Sequence, residues 1–233
     1  VLPLSEAWQK PFNEEHPDIA LEIAGGGSGN GITALIGGTA DIANASREIK
    51  DSERDEAAGN GIEVVEHLIA YDGLAVIVHP SNPIESVTVE QLSGIYTGKI
   101  KSWADLGGTG DITAAGRDSS SGTYETFLEE AVQKHKTDDS LQFAPEVLSL
   151  SSTESLKNTV ASSPGAIGHI GLGYVDETVK AVPIIDVGGG EPVAPTEATV
   201  LDGTYPFARK LYCYTNGEPT GGVKTYMDWV LSE

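Results

Sequence analysis

The sequence holds one cysteine, Cys213, so it can form no internal disulfide and the redox compartment is left open. Set in the apolar alternation "LYCYT", that cysteine reads as a buried core thiol. Basic residues are scarce: 14 lysines and arginines stand against 35 acidic residues. The resulting net charge of −21 makes nucleic acid and anionic lipid poor partners. No apolar run approaches the roughly 20 residues that a membrane-spanning helix needs. The five histidines, His16, His67, His79, His135 and His169, lack metal-ligand spacing, and the serine-rich turns contain no G-x-S-x-G elbow. No glycine set in residues 25–31 fits G-x-G-x-x-G, and no glycine is followed by Lys-Ser or Lys-Thr, so a nucleotide is disfavoured. No cofactor and no metal is expected.

What is present is ordinary for a soluble globular chain: 39% hydrophobic and 21% charged residues, over a length of 233 that can bury one core or two small ones. Short apolar strands alternate with helical segments, which predicts an α/β architecture. "LEIAGG" and "DIANAS" are predicted strands flanking a helix over about 29–38, with Ile32, Leu35 and Ile36 on one face: one βαβ unit. "VVEHLIAYDGLAVIV", residues 64–78, is long for one strand. Its Asp72-Gly73 offers a bend, and the stretch can pass from one domain to another. A helix at 88–97 opens with the capping box Thr88 to Gln91, a strand ends at Arg117, and "GTYETFLEEAVQKH" is a predicted helix over 122–135. A helix at 153–162 stops at Pro164, and "GAIGHIGLGYV", "VKAVPII" and "FARKLYCYTN" read as strands. The terminal helix has Val223, Met227 and Val230 inside, and "DVGGGEPVAPTEA" is a loop. The chain opens mid-element on "VLPLSEAW", which says nothing about a leader.

Two segments share one design. In "AGGGSGNGITAL" and in "GRDSSSGTYETF" a strand is expected to end, small residues follow, and a helix begins. Free N–H groups and the helix dipole make such a beginning favourable for an anion, and small residues let it come close. Hydroxyls of Ser28, Ser121 and Thr123 add donors. Either segment alone reads equally as an ordinary turn with an N-capping serine. Arg117, four residues before Ser121, can lean over the same helix beginning and supply a charge-assisted contact. Arg47 reads first as an ion-pair partner of Glu48 or Asp51.

The stretches "LPLSEAW", "GGGSGNGI", "ADIANASREIK", "AYDGLAVIVHPSNP", "QLSGIYTGKIKSW", "GRDSSSGTYETF", "SPGAIGHIGLGYV" and "YPFARKLYCYTNGEPTG", in this order, resemble the phosphate-binding proteins of ABC-type phosphate uptake systems over nearly the whole chain. The resemblance implies the periplasmic-binding-protein type II fold. Two α/β lobes are joined by two crossing strands and close around a dehydrated oxyanion. Lobe I would comprise residues 1–75 and 208–233, and lobe II residues 76–207. The implied ligand is inorganic phosphate and the implied partner an ABC transporter permease. The implied place is extracellular or periplasmic, as a monomer held to the membrane only by a lipid anchor outside this sequence. Implied donors are Ser28 and Gly29 from the first lobe and Arg117, Ser121, Gly122 and Thr123 from the second. The acidic surface resembles those of proteins from halophilic archaea.

Two departures from the family pattern bear on the site. The Gly-Ser-Ser-Thr-like turn that family members place ahead of the position of Val1 is not in this sequence. Arg47 stands where longer relatives carry an aspartate that accepts the proton of hydrogen phosphate and so repels sulfate. Shorter members carry Ser-Arg here, which implies that Ser46 offers a hydroxyl and Arg47 a positive charge. Asp72, with Asp118 as a rival, becomes the candidate acceptor. The runner-up ligands are sulfate, molybdate and tungstate. A phosphatase or hydrolase and a non-transport phosphate-sensing module are the other classes.

Overall fold

The computed structural model describes every residue except Gly26, Ser120 and Glu233 and the side chain of Pro3, so the end of "LEIAGG" and the middle serine of "DSSSG" lie outside the described residues. In chain order, α1 (Leu2–Glu15), α2 (Ser28–Ile36), β1 (Ile42–Ala45), α3 (Asp51–Gly59) and β2 (Val64–Val78) come first. They are followed by β3 (Val87–Thr88), α4 (Val89–Tyr96), β4 (Thr113–Arg117), α5 (Gly122–Phe127), β5 (Leu148–Leu150), α6 (Thr153–Ser162) and β6 (Ala166–Gly171). The chain closes with β7 (Lys180–Ala181), β8 (Ile184–Ile185), α7 (Glu197–Leu201), β9 (Ala208–Asn216) and α8 (Gly221–Val230). Two compact units result: residues 1–70 with 210–233, and residues 71–209.

In the first unit β1 and β9 pair antiparallel, Ile42 opposite Thr215 and Ala45 opposite Tyr212. The apolar face of α2, Ile32, Leu35 and Ile36, is buried with Ala43, Ala45, Tyr212 and Tyr214 of that ladder. A second cluster gathers Phe12 of α1 with Tyr226, Met227 and Val230 of α8 around Cys213. Burial pushes the Cys213 thiol up to about 12, and Sγ donates to Asn44 Oδ1 at 3.0 Å.

The expected strand "LEIAGG" is not formed in its described part, residues 21–25. Gln9 Nε2 donates to Leu21 O at 2.8 Å, and Leu21 packs on the Phe12 cluster, so side chains rather than a ladder fasten this stretch. With no strand in residues 21–25 and β1 paired antiparallel to β9, the predicted βαβ unit is not formed among the described residues.

In the second unit, Leu74–Val78 of β2 are all buried. Their pleat sends Leu74, Val76 and Val78 into one core cluster and Ala75 and Ile77 into another. β2 carries β6 and β7 as antiparallel neighbours, while β4 lies parallel to both β6 and β5. Strands buried on two faces read as continuous apolar runs, which is why "LAVIV" shows no alternation.

The predicted bend at Asp72-Gly73 is absent, and β2 runs unbroken for 15 residues. Gly73 serves packing instead: a Cβ there would lie 2.6 Å from Val200 Cγ2 of α7. The predicted helix over 122–135 is α-helical only through Phe127 and continues as a π-helical turn, Leu128–Val132. It then breaks at Lys134, His135 and Lys136, which have φ of 52°, 54° and 60°. Side chains hold this break: His135 joins Glu130 and Asp186, and Gln133 donates to Asp139 O and Leu141 O.

Candidate functional site

The first unit gathers Ser28, Gly29, Ser46 and Arg47. Gly27 enters α2 at φ 91°, a left-handed conformation that suits glycine, and so sets Ser28 as the first helical residue. Ser28 is buried, its Oγ accepts from Ser46 N at 3.1 Å, and it lies 3.3 Å from Ser46 Oγ. The amides of Ser28 and Gly29 open the helix without an acceptor among the described residues. A Cβ on Gly29 would lie 3.8 Å from Arg47 Nη2, which puts the guanidinium beside this first turn.

Arg47 is an ion-pair residue, as its surroundings in the sequence suggest, but the carboxylate is that of Glu53. The pair is a fork of 2.9 and 2.8 Å, and Glu48 contributes its backbone carbonyl at 3.0 Å. Glu53 Oε2 also accepts from Lys50 N at 2.8 Å, so it caps α3 while facing Arg47. The Arg47 bond holds the Glu53 carboxyl below its usual range.

Asp72, Arg117, Ser121, Gly122 and Thr123 all belong to the second unit. Ser121 is the N-cap of α5: its Oγ accepts from Thr123 N at 3.2 Å and its amide donates to Asp118 O at 3.1 Å. The Gly122 amide has no acceptor among the described residues. Arg117, half-buried at the end of β4, does not donate to the α5 beginning within the described residues. It donates to Leu150 O, Thr153 Oγ1 and Ser151 O at 3.2, 3.1 and 3.1 Å, which ties the end of β5 to the start of α6. A guanidinium has five N–H donors, so two stay open.

Charge separates Arg117 from the other three arginines. Arg47 pairs with Glu53, Arg54 with Glu66 and Arg209 with Asp72, whereas no carboxylate pairs with Arg117 among the described residues. Behind it lies His169, fully buried, stacked on Phe127 with centroids 3.7 Å apart and within 3.4 Å of Tyr96 Oη. Burial first, and the Arg117 charge second, push this imidazole down to about 3, so it stays neutral and adds no second cation. Gly116 leaves room for it: a Cβ there would come within 3.3 Å of His169 Cε1.

The family model for the PBP superfamily domain matches residues 1–233. The chain belongs to that superfamily. This PBP superfamily chain is 34% identical over 233 residues to the phosphate-binding protein PstS of Bacillus subtilis, covering 99% of the chain and 72% of that protein. It is 34% identical over 230 residues to the PstS of Pseudomonas aeruginosa, covering 93% and 69%. Among solved structures, an ABC-type phosphate transport receptor from Vibrio cholerae superposes with a TM-score of 0.80 at 28% identity, over 100% of this chain and 90% of the other. A putative phosphate ABC transporter substrate-binding protein with bound phosphate from Clostridium perfringens gives 0.80 at 33% identity, with the same coverage. The superfamily chain thus has the type II periplasmic-binding-protein fold.

Sequence reasoning about this superfamily member missed Arg209 of β9. Its Nε and Nη2 donate to Asp72 Oδ2 at 2.9 and 2.7 Å, and its Nη1 donates to Gly122 O at 3.4 Å and to Thr126 Oγ1. Thr126 Oγ1 in turn donates to Gly122 O at 3.0 Å. Asp72 and the first turn of α5 are therefore joined through one side chain. The available signal was the scarcity of arginine itself, with one of four standing in "PFARKLYCY".

Proposed function

We propose that this chain is an extracellular or periplasmic solute-binding protein that captures inorganic phosphate and delivers it to an ABC-type importer. Relatives over nearly the whole chain are named phosphate-binding proteins, and a similar structure carries bound phosphate. The observation that carries the reading is Arg117: in a chain of net charge −21, a half-buried guanidinium keeps two open donors and no carboxylate partner among the described residues. An anionic ligand is the natural complement of such a group.

In this reading the second unit gives phosphate the Arg117 guanidinium, the Ser121 and Thr123 hydroxyls and the Gly122 amide. The first unit gives the Ser28 and Ser46 hydroxyls and the helix-opening amides of Ser28 and Gly29, with Arg47 adding positive charge. Asp72 is the acceptor for the proton of hydrogen phosphate. Both Arg209 donors fall on Oδ2, so Oδ1 remains to accept that proton, and sulfate has none to offer. No residue carries a catalytic role, and the two units serve as the two lobes of the fold. A monomer, a lipid anchor outside this sequence and a surface suited to concentrated salt complete the proposal.

Calorimetric titration with inorganic phosphate, run beside incubation with a chromogenic phosphate ester, tests it. Saturable phosphate binding with no release of chromophore is expected. Catalytic turnover of the ester, or no saturable phosphate binding, overturns it.

A further inference from the structure

We infer that Arg209 is a positioning residue that fixes the anion-binding end of α5 and sets the preference of the site for a protonated oxyanion. The inference rests on the phosphate reading. Arg209 is nearly buried, with 13% of its side chain exposed, and its fork reaches two segments far apart in sequence. Nε and Nη2 grip Asp72 on β2, while Nη1 reaches Gly122 O and Thr126 Oγ1 on α5.

The Gly122 carbonyl belongs to the same peptide plane as the Thr123 amide. In a trans peptide the C=O and N–H point in opposite directions. A guanidinium holding Gly122 O therefore fixes where the Thr123 N–H points. It also polarises that peptide and makes the N–H a better donor. Ser121 Oγ accepts from this N–H at 3.2 Å, so the hydroxyl of the helix cap is oriented by the same plane.

At its other end Arg209 decides which oxygen of Asp72 is available. With two donors on Oδ2 it balances the carboxylate charge and leaves Oδ1 without an Arg209 donor. One side chain thus links the group that accepts a proton from the ligand to the groups that donate to its oxygens. A lysine could balance the charge of Asp72 but could not span both partners with a planar fork.

The test compares wild type with Arg209→Met, Arg209→Lys and Thr126→Val in two assays. One is phosphate and sulfate affinity by calorimetry, and the other is hydrogen exchange of the Thr123 amide in ligand-free protein. Arg209→Met is expected to weaken phosphate binding by about ten- to a hundredfold, the range for loss of charged hydrogen bonds. It should also narrow the gap between phosphate and sulfate and speed Thr123 exchange. Arg209→Lys should fall between it and wild type. Should Arg209→Met not fold, Thr126→Val must still speed Thr123 exchange for the inference to stand. Weaker phosphate binding with selectivity and Thr123 exchange both unchanged marks general destabilisation and overturns it. If wild type binds no phosphate, the functional reading has failed, and Thr123 exchange alone decides Arg209: faster exchange supports the positioning role and unchanged exchange refutes it.

Discussion

Under the proposed function phosphate binding turns on Arg117, although the three hydrogen bonds it makes among the described residues all go to the protein itself. Arg117→Ala removes a charged donor from a desolvated anion and is expected to cost about 2 to 4 kcal/mol of phosphate affinity. It also loosens Leu150, Ser151 and Thr153, so calorimetry needs a thermal melt beside it. Phosphate affinity equal to wild type removes Arg117 from the site. Two histidines give a second residue-scale prediction, with opposite signs. Glu130 first and then Asp186 raise His135 from 6.5 to about 9. Its folded form binds a proton more tightly than the unfolded chain does, so its contribution is full below about 6.5 and is lost as pH rises through about 9. His169 is lowered from 6.5 to about 3: above 6.5 both states hold it neutral, and below that only the unfolded chain takes the proton. Stability is therefore lost as pH falls from 6.5 towards 3. Urea midpoints across pH should show His135→Gln costing stability at pH 6 and little at pH 10. His169→Gln should flatten the acid limb. A limb of unchanged slope contradicts the His169 account. The residue types that make candidate donors were legible in the sequence, because arginine and clustered serines are chemically distinctive. Their partners were not: Asp72 and Arg209 are 137 residues apart, and nothing local to either announces the other.

Helix beginnings were the most legible elements, since their signals are local. Thr88 and Gln91 form the expected capping box with bonds of 3.1 and 2.8 Å, and Ser121 and Ser152 cap α5 and α6. Elements that depend on distant pairing were misread. Residues 21–25 look like a strand but have no ladder, and Gly73 looks like a bend but is a packing glycine. The helix after Gly122 ends early because His135 joins Glu130 and the distant Asp186, and Gln133 holds the carbonyls of Asp139 and Leu141. Gly73→Ala is expected to cost about 1 to 3 kcal/mol through overpacking against Val200. The second substitution Val200→Ala should recover part of that loss. Chemical denaturation measures both, and an undisturbed Gly73→Ala protein would show that α7 yields freely.

At the scale of the molecule, a chain of net charge −21 binding a divalent anion demands that local donors outweigh the mean field. Screening makes this possible: exposed charges separated by more than about 10 Å at 0.1 M salt, or about 3 Å at 1 M, hardly interact. The α/β class and the family were legible in the whole chain because weak motifs recur in one order, each fixed by local chemistry. The charge was equally legible but says only which partners are excluded. Under the proposed function Asp72 and the donors of α5 select a protonated tetrahedral anion. Competition calorimetry between phosphate and sulfate, from pH 5 to 9, tests that most directly. Phosphate should be retained against a large excess of sulfate wherever hydrogen phosphate carries a proton. Displacement of phosphate by equimolar sulfate, or tighter binding of sulfate at any pH in that range, would contradict the account.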